Sequence, residues 1–145
     1  RCLVGGGIPV MAHVGLRPRA TNVDGGFKAK GRTEAERNRV IAEAVAADEA
    51  GCFAMVIEGV AEDLAAQITR QVSCPTVGIG ASAACDGQIL VTDDLLGMFD
   101  WTPRFVRRYA DLRVQIAKAV DGYASDVRSR AFPGEKETYT LKKQP

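Results

Sequence analysis

The apolar positions of this chain fall into short runs separated by stretches with helical spacing. Ile8-Pro9-Val10-Met11-Ala12-His13, Phe53-Ala54-Met55-Val56-Ile57 and Thr76-Val77-Gly78-Ile79-Gly80 are the clearest runs. None alternates apolar with polar, which is how strands of a parallel sheet covered on both faces read. Gln88-Ile89-Leu90-Val91 is a weaker fourth strand. Between the first two runs, Thr33-Glu34-Ala35-Glu36 matches a capping box, in which Thr33 caps the Glu36 N–H and Glu36 reaches back. The helix it opens runs to about Ala50, with Val40, Ile41, Ala44 and Val45 on one face, and Gly51 stops it. Ala61 to Gln71 is a second helix with Leu64, Ala65 and Ile68 inward. Thr102-Pro103 supplies an N-cap and a first-turn proline for a helix through Phe105, Val106 and Tyr109. Leu112, Ile116, Ala119, Val120, Tyr123 and Val127 form a long helical stripe, which Phe132-Pro133-Gly134-Glu135 ends.

The resulting order, β-α-β-α-β-β-α-α, implies right-handed crossovers and a parallel sheet. The fold class is α/β, with four parallel strands, crossover helices and C-terminal helices. Such a set makes either a small open sheet or half of a (β/α)8 barrel. A whole barrel takes about 250 residues, and this chain has 145. One domain is expected over residues 1–132, with a polar tail over 133–145. Arg1 to Val4 followed by Gly5-Gly6-Gly7 reads as a helix end and its C-cap, so the chain is expected to begin inside a domain. A half-barrel leaves two open strand edges and an uncovered apolar interior.

Composition narrows the function classes. Apolar residues are 46% of the chain, enough to bury a core, and 19 basic against 18 acidic residues give a net charge of +1. That balance argues against nucleic acid or an anionic membrane as partner. No apolar run approaches the roughly 20 residues of a membrane span. The four cysteines, Cys2, Cys52, Cys74 and Cys85, form no Cys-x-x-Cys pair, and a single histidine argues against a zinc cluster. Cys52 and Cys74 read as small core residues, and no structural disulfide is expected.

Two of the runs end on a proton-handling side chain. His13 is the only histidine, and Glu58 closes the second strand. In parallel α/β proteins the C-terminal ends of strands carry the chemistry. His13 is either a hydrogen-bonded strand-end residue or an acid–base group active near neutrality. Glu58 is either a salt-bridge partner or a general base whose pKa burial raises. Gly78 and Gly80 either allow close approach to a ligand or relieve crowding. The loop Asn22 to Arg32, with Lys28 among its glycines and cations, is either a solvated loop or a lid over an anionic or aromatic substrate. Asp86, Asp93 and Asp94 read as caps or ion-pair partners. Asp93-Asp94 alone is no metal motif, because hard cations need more converging oxygens.

An ordered set of motifs resembles ketopantoate hydroxymethyltransferase. It runs through His13-Val14-Gly15-Leu16-Arg17-Pro18, Gly25-Gly26-Phe27-Lys28, Gly31-Arg32, Ile57-Glu58-Gly59-Val60 and Pro75 to Ala81. It continues through Cys85-Asp86-Gly87-Gln88-Ile89-Leu90-Val91, Asp94-Leu95-Leu96-Gly97 and Phe132-Pro133-Gly134-Glu135. The resemblance covers nearly the whole chain and only the C-terminal half of the family. It implies the C-terminal half of a (β/α)8 barrel. The implied reaction is hydroxymethyl transfer from 5,10-methylenetetrahydrofolate to 3-methyl-2-oxobutanoate, giving 2-dehydropantoate on the route to pantothenate. It further implies Glu58 as general base, His13 on the substrate side, and Gly78, Gly80 and Lys28 near substrate or folate. A magnesium ion is implied, with its ligands in the N-terminal half and none in this chain, so the chain alone is expected to turn over negligibly. Implied partners are the 2-oxo acid, the folate, and either a homo-oligomer or the missing N-terminal half, in the cytoplasm or, in a eukaryote, the mitochondrion. Ser82 stands where the family has glycine, and Ala29-Lys30 where it has Val-Gln. Two readings compete: a degenerate half-barrel kept as an oligomerisation or regulatory module, and a 2-oxo-acid enzyme of the phosphoenolpyruvate mutase and isocitrate lyase type. The Cys85 to Val91 segment counts against the latter.

Overall fold

The three apolar runs and a short fourth segment form one parallel sheet in the order β1-β2-β3-β4. These strands are β1 (Met11–Gly15), β2 (Ala54–Glu58), β3 (Thr76–Ile79) and β4 (Gly87–Gln88). Helices α1 (Cys2–Gly5), α2 (Glu34–Glu49), α3 (Glu62–Gln71), α4 (Thr92–Leu95) and α5 (Leu112–Ser129) accompany them. The structure, a computed structural model, describes residues 1–17 and 29–140. β1, β2 and β3 are sequential parallel neighbours joined by helices, and a loop without a helix leads on to β4; this parallel order is consistent with half a (β/α)8 barrel.

The chain divides into two compact units, Arg1–Leu90 and Val91–Pro145. The first holds the sheet. Paired residues of parallel strands share a face, so Val14 and Ile57 lie together with Met55 on one face. Those three are buried against Val40 and Ala44 of α2 and Leu64, Ala65 and Ile68 of α3. The opposite face carries Met11, His13, Val56 and Glu58 and is only partly covered. The expectation of two buried faces therefore holds for the helix side alone. Asp48, near the end of α2, ties down the entry to β3 by accepting from the Ser73 and Cys74 amides, both at 3.0 Å.

Several sequence boundaries move, each for a local reason. The first strand begins at Met11 rather than Ile8, because the Ile8 amide is spent on the Leu3 carbonyl at 3.0 Å and Pro9 has none to offer. The capping box is half formed. Thr33 Oγ1 accepts from the Glu36 amide at 3.3 Å, but Glu36 reaches the Arg32 amide at 3.0 Å instead of that of Thr33. The fourth strand is Gly87–Gln88, because the Val91 carbonyl already accepts from Leu95 and starts α4.

In the second unit no helix forms at Thr102–Tyr109. One turn closes there, from the Val106 amide to the Pro103 carbonyl at 3.0 Å. The Tyr109 and Leu112 amides then go to the Leu95 and Leu96 carbonyls, capping the end of α4 instead of propagating a new helix. Helix α5 forms where the stripe predicts it, yet none of its residues is buried, and Ile116, Val120, Tyr123 and Val127 stay exposed.

Candidate active site

His13 and Glu58 meet at the C-terminal end of the sheet. The register sets Gly15 opposite Glu58 and His13 opposite Val56, so the two side chains share a face on a diagonal. His13 Nε2 lies 3.0 Å from Glu58 Oε2, and Glu58 Oε1 has no partner among the described residues. The Glu58 side chain is 14% exposed and the His13 ring 39%. Burial pushes the Glu58 carboxyl above its ordinary value and outweighs the pull of His13 in the other direction. A carboxylate so placed is a stronger proton acceptor than one in water.

The backbone around Glu58 is clamped on both sides. Its carbonyl accepts from the Leu16 amide at 2.7 Å, and the Gly59 amide donates to the Ile79 carbonyl at 2.9 Å. The Gly59 carbonyl accepts from the Lys30 amide at 2.8 Å, and Lys30 pairs with Val60 as a short parallel bridge. Gly15 has φ +91, and a Cβ there would overlap the Glu58 carbonyl oxygen and the Val60 side chain. The glycine is needed for this strand-to-strand approach.

The other sequence candidates separate. A Cβ on Gly78 would press on Gln88 and on Cys85 Sγ, so this glycine makes room for β4 and its loop. Gly80 turns the chain at φ +59 just past β3. Lys28 lies outside the described residues. Asp86 is an anchor: its Oδ2 accepts from the Thr76 amide at 2.8 Å and from Thr76 Oγ1 at 2.9 Å, which holds its carboxyl below the ordinary value. Asp93 and Asp94 lie in the first turn of α4. Cys52 and Cys74 are buried, as expected of small core residues. Ser82 is buried, donates to Glu62 Oε1 at 2.9 Å and accepts from the Ala84 amide at 3.1 Å, and so braces the loop after β3.

A shallow groove of about 70 Å3 opens beside the end of β1, lined by Gly15, Arg17, Lys30, Arg39 and the carboxylates Glu36 and Glu43. The sequence reading placed its cation-rich loop nearby but did not single out this groove. Its signal was the spacing Glu36, Arg39, Val40, Glu43, one face of a helix at i, i+3, i+4, i+7.

Among the described residues no three His, Cys, Asp or Glu side chains gather where a metal ion could sit. The His13–Glu58 pair offers one carboxylate and one imidazole, which does not fit the oxygen-rich shell of magnesium.

A family model described as ketopantoate hydroxymethyltransferase matches residues 1–135. The 3-methyl-2-oxobutanoate hydroxymethyltransferase of Hyphomonas neptunium is 73% identical over 142 residues, 98% of this chain and 52% of the relative. Those of Phenylobacterium zucineum and Maricaulis maris are 66% and 65% identical over 97% and 94% of this chain, or 51% and 49% of the relatives. The chain thus spans about half the length of the curated relatives it matches. With the family model matching nearly every residue that forms the sheet and its helices, the chain belongs to the ketopantoate hydroxymethyltransferase family.

Proposed function

We propose that this chain carries the proton-transfer side of hydroxymethyl transfer from 5,10-methylenetetrahydrofolate to 3-methyl-2-oxobutanoate. The observation that carries the reading is the His13–Glu58 pair, 3.0 Å apart at the mouth of the sheet, with the carboxyl pKa raised by burial. Water releases the methylene carbon from the folate as formaldehyde, leaving tetrahydrofolate; Glu58 Oε1 takes the proton from C3 of the oxo acid, the C3 carbanion attacks the formaldehyde carbon, and the former carbonyl oxygen takes up a proton to become the new hydroxyl. His13 holds Oε2, which aims Oε1. Gly78 and Gly80 keep the floor beside the pair close to backbone level, and Lys28 belongs to the folate side. When bound, magnesium would stabilise the oxo acid's developing negative charge. The described residues do not fit it, so no step here runs through the metal, and the reading assigns its ligands to the half of the relatives that this chain does not match.

The test is a chimaera in which this chain replaces the matching part of the Hyphomonas neptunium relative. Formation of 2-dehydropantoate and C3 hydrogen–deuterium exchange in the oxo acid are followed by NMR. The chimaera turns over, and Glu58→Gln slows both readouts by about 10² to 10⁴-fold, the usual worth of a positioned base. A Glu58→Gln chimaera as fast as its parent overturns the reading.

The same reading carries a protein partner, either further copies of this chain or the segment the relatives have in addition. The outer edges of β1 and β4, which pair with no further strand among the described residues, support it. Light scattering on the purified chain checks it, since a stable lone monomer argues against self-association.

A further inference from the structure

We propose that Cys52 and Cys74 form an oxidation site, a dithiol that a peroxide converts into a disulfide stapling the entries of β2 and β3. The proposed chemistry uses neither thiol. Each lies two residues ahead of its strand, at the end of the sheet away from Glu58. Both are buried free thiols, and Cys52 Sγ donates to Cys74 Sγ at 3.6 Å, which is van der Waals contact for two sulfurs. A disulfide holds its sulfurs about 2.05 Å apart. The remaining closure of about 1.6 Å is within reach of χ1 rotations of two short side chains.

One turn of helix sets the pair. The Ala47 carbonyl accepts from the Cys52 amide at 3.4 Å, and the Asp48 carboxylate accepts from the Ser73 and Cys74 amides, both at 3.0 Å. Two segments far apart in sequence are thus anchored on adjacent residues near the end of α2. Thiols held together in this way react as one unit, because the entropy of bringing them together is already spent. Cys85 is buried too, but the group at its sulfur is the Thr69 hydroxyl, at 3.7 Å.

Access decides which sulfur reacts first. Cys52 lines an apolar cavity of about 230 Å3 together with Cys2, Val10, Ala12, Ala47 and Ala50, and Cys74 does not. Hydrogen peroxide, about the size of two waters at roughly 30 Å3 each, fits there. Burial, then the Cys52 sulfur and Asp48, push the Cys74 thiol up to about 12, so it stays protonated while Cys52 reacts. The Cys52 thiolate attacks one peroxide oxygen, the O–O bond breaks, and the departing oxygen takes the thiol proton and leaves as water. Cys74 then attacks the sulfenic sulfur on Cys52. The S–S bond forms, the S–O bond breaks, and the leaving hydroxide takes the Cys74 proton as a second water. The two thiols give up two electrons, and the peroxide is reduced to two waters.

The test treats the full chain with hydrogen peroxide under native conditions, as a Cys2→Ser variant that removes the exposed thiol, and maps the alkylated peptides by mass. The chain loses two hydrogens and yields a Cys52–Cys74 linked peptide pair, which dithiothreitol separates. Its urea midpoint rises by about 1–2 M, because a bridge between positions 22 residues apart restrains the unfolded chain. With Cys74→Ala added, dimedone traps a sulfenic acid on Cys52. With Cys85→Ala added instead, the linked pair still forms. Thiols that stay reduced, a linkage through Cys85, or an oxidised chain whose midpoint fails to rise overturns the proposal. The linkage map needs no substitution within the pair, so it decides the matter even where a Cys74→Ala or Cys85→Ala chain fails to fold.

Discussion

Replacing Gly15 by alanine puts the closest backbone approach in the site under direct test. The residue sits at φ +91, where an L side chain is strained by about 1–2 kcal/mol. The new Cβ also overlaps the Glu58 carbonyl oxygen, which is backbone and cannot swing aside as a side-chain tip would. Relieving that overlap pulls Glu58 away from the Leu16 amide and loses a 2.7 Å hydrogen bond, about 1 kcal/mol more. The expected loss is about 3 kcal/mol in the first unit, more than a hundredfold in its folding equilibrium. Gly122 is the control. It lies inside α5 with nothing within 4 Å of its would-be Cβ, so Gly122→Ala gains about 0.5–1 kcal/mol of helix stability in the second unit. Native-state hydrogen exchange reads both units separately, at the Leu16 and Gly59 amides for the first and along α5 for the second. A Gly15→Ala protein within about 0.5 kcal/mol of the parent at Leu16 refutes the steric argument, because the strain alone exceeds that.

Other outcomes follow from single groups. The folded chain holds the Glu58 proton more tightly than the unfolded one, so this group's contribution is fully present below its ordinary value of 4.5 and is lost as pH rises through the raised value. Urea midpoints across that range fall for the parent relative to Glu58→Gln, and a constant difference between the two contradicts the shift. Burial pushes the Cys74 thiol up to about 12, and Cys52 and Cys85 are also buried while Cys2 is exposed. A thiol reagent at mild alkaline pH therefore labels one cysteine quickly in the folded chain and all four in denaturant, and two fast labels refute this. Arg130 ends α5 at φ +60, so Arg130→Gly stabilises that end by about 1 kcal/mol, seen as slower exchange of the last α5 amides.

The elements that sequence located well are those decided by burial alone. The runs around Val56 and Val77 carry no competing polar pattern, and Leu64, Ala65 and Ile68 all turn inward as their spacing requires. Misplaced boundaries share one cause. They hang on where a particular amide or carbonyl finds its partner. Ile8 bonds to Leu3, Val91 to Leu95, Tyr109 to Leu95, and none of these choices leaves a mark on hydrophobic periodicity. The Thr102-Pro103 pair shows the limit most clearly. Its residue types favour a helix start, but the amides that would continue the helix are claimed by α4, and α4 is too short to be visible as a pattern.

The site divides along the same line. His13 and Glu58 were legible as polar ends of apolar runs, but their meeting was not, because it depends on register. In parallel strands a one-residue slip would put the two side chains on opposite faces. What fixes the register is the Gly15 approach to the Glu58 carbonyl, which only a residue without Cβ allows. Gly15 thus sets the diagonal on which the imidazole reaches the carboxyl. The clamp that follows, from Leu16 to Glu58 and from Lys30 to Gly59, carries the same constraint outward to Arg17. Glu58 and the groove are therefore two ends of one backbone arrangement, and a change in register would disturb both together, whereas a change at Arg17 would disturb the groove alone.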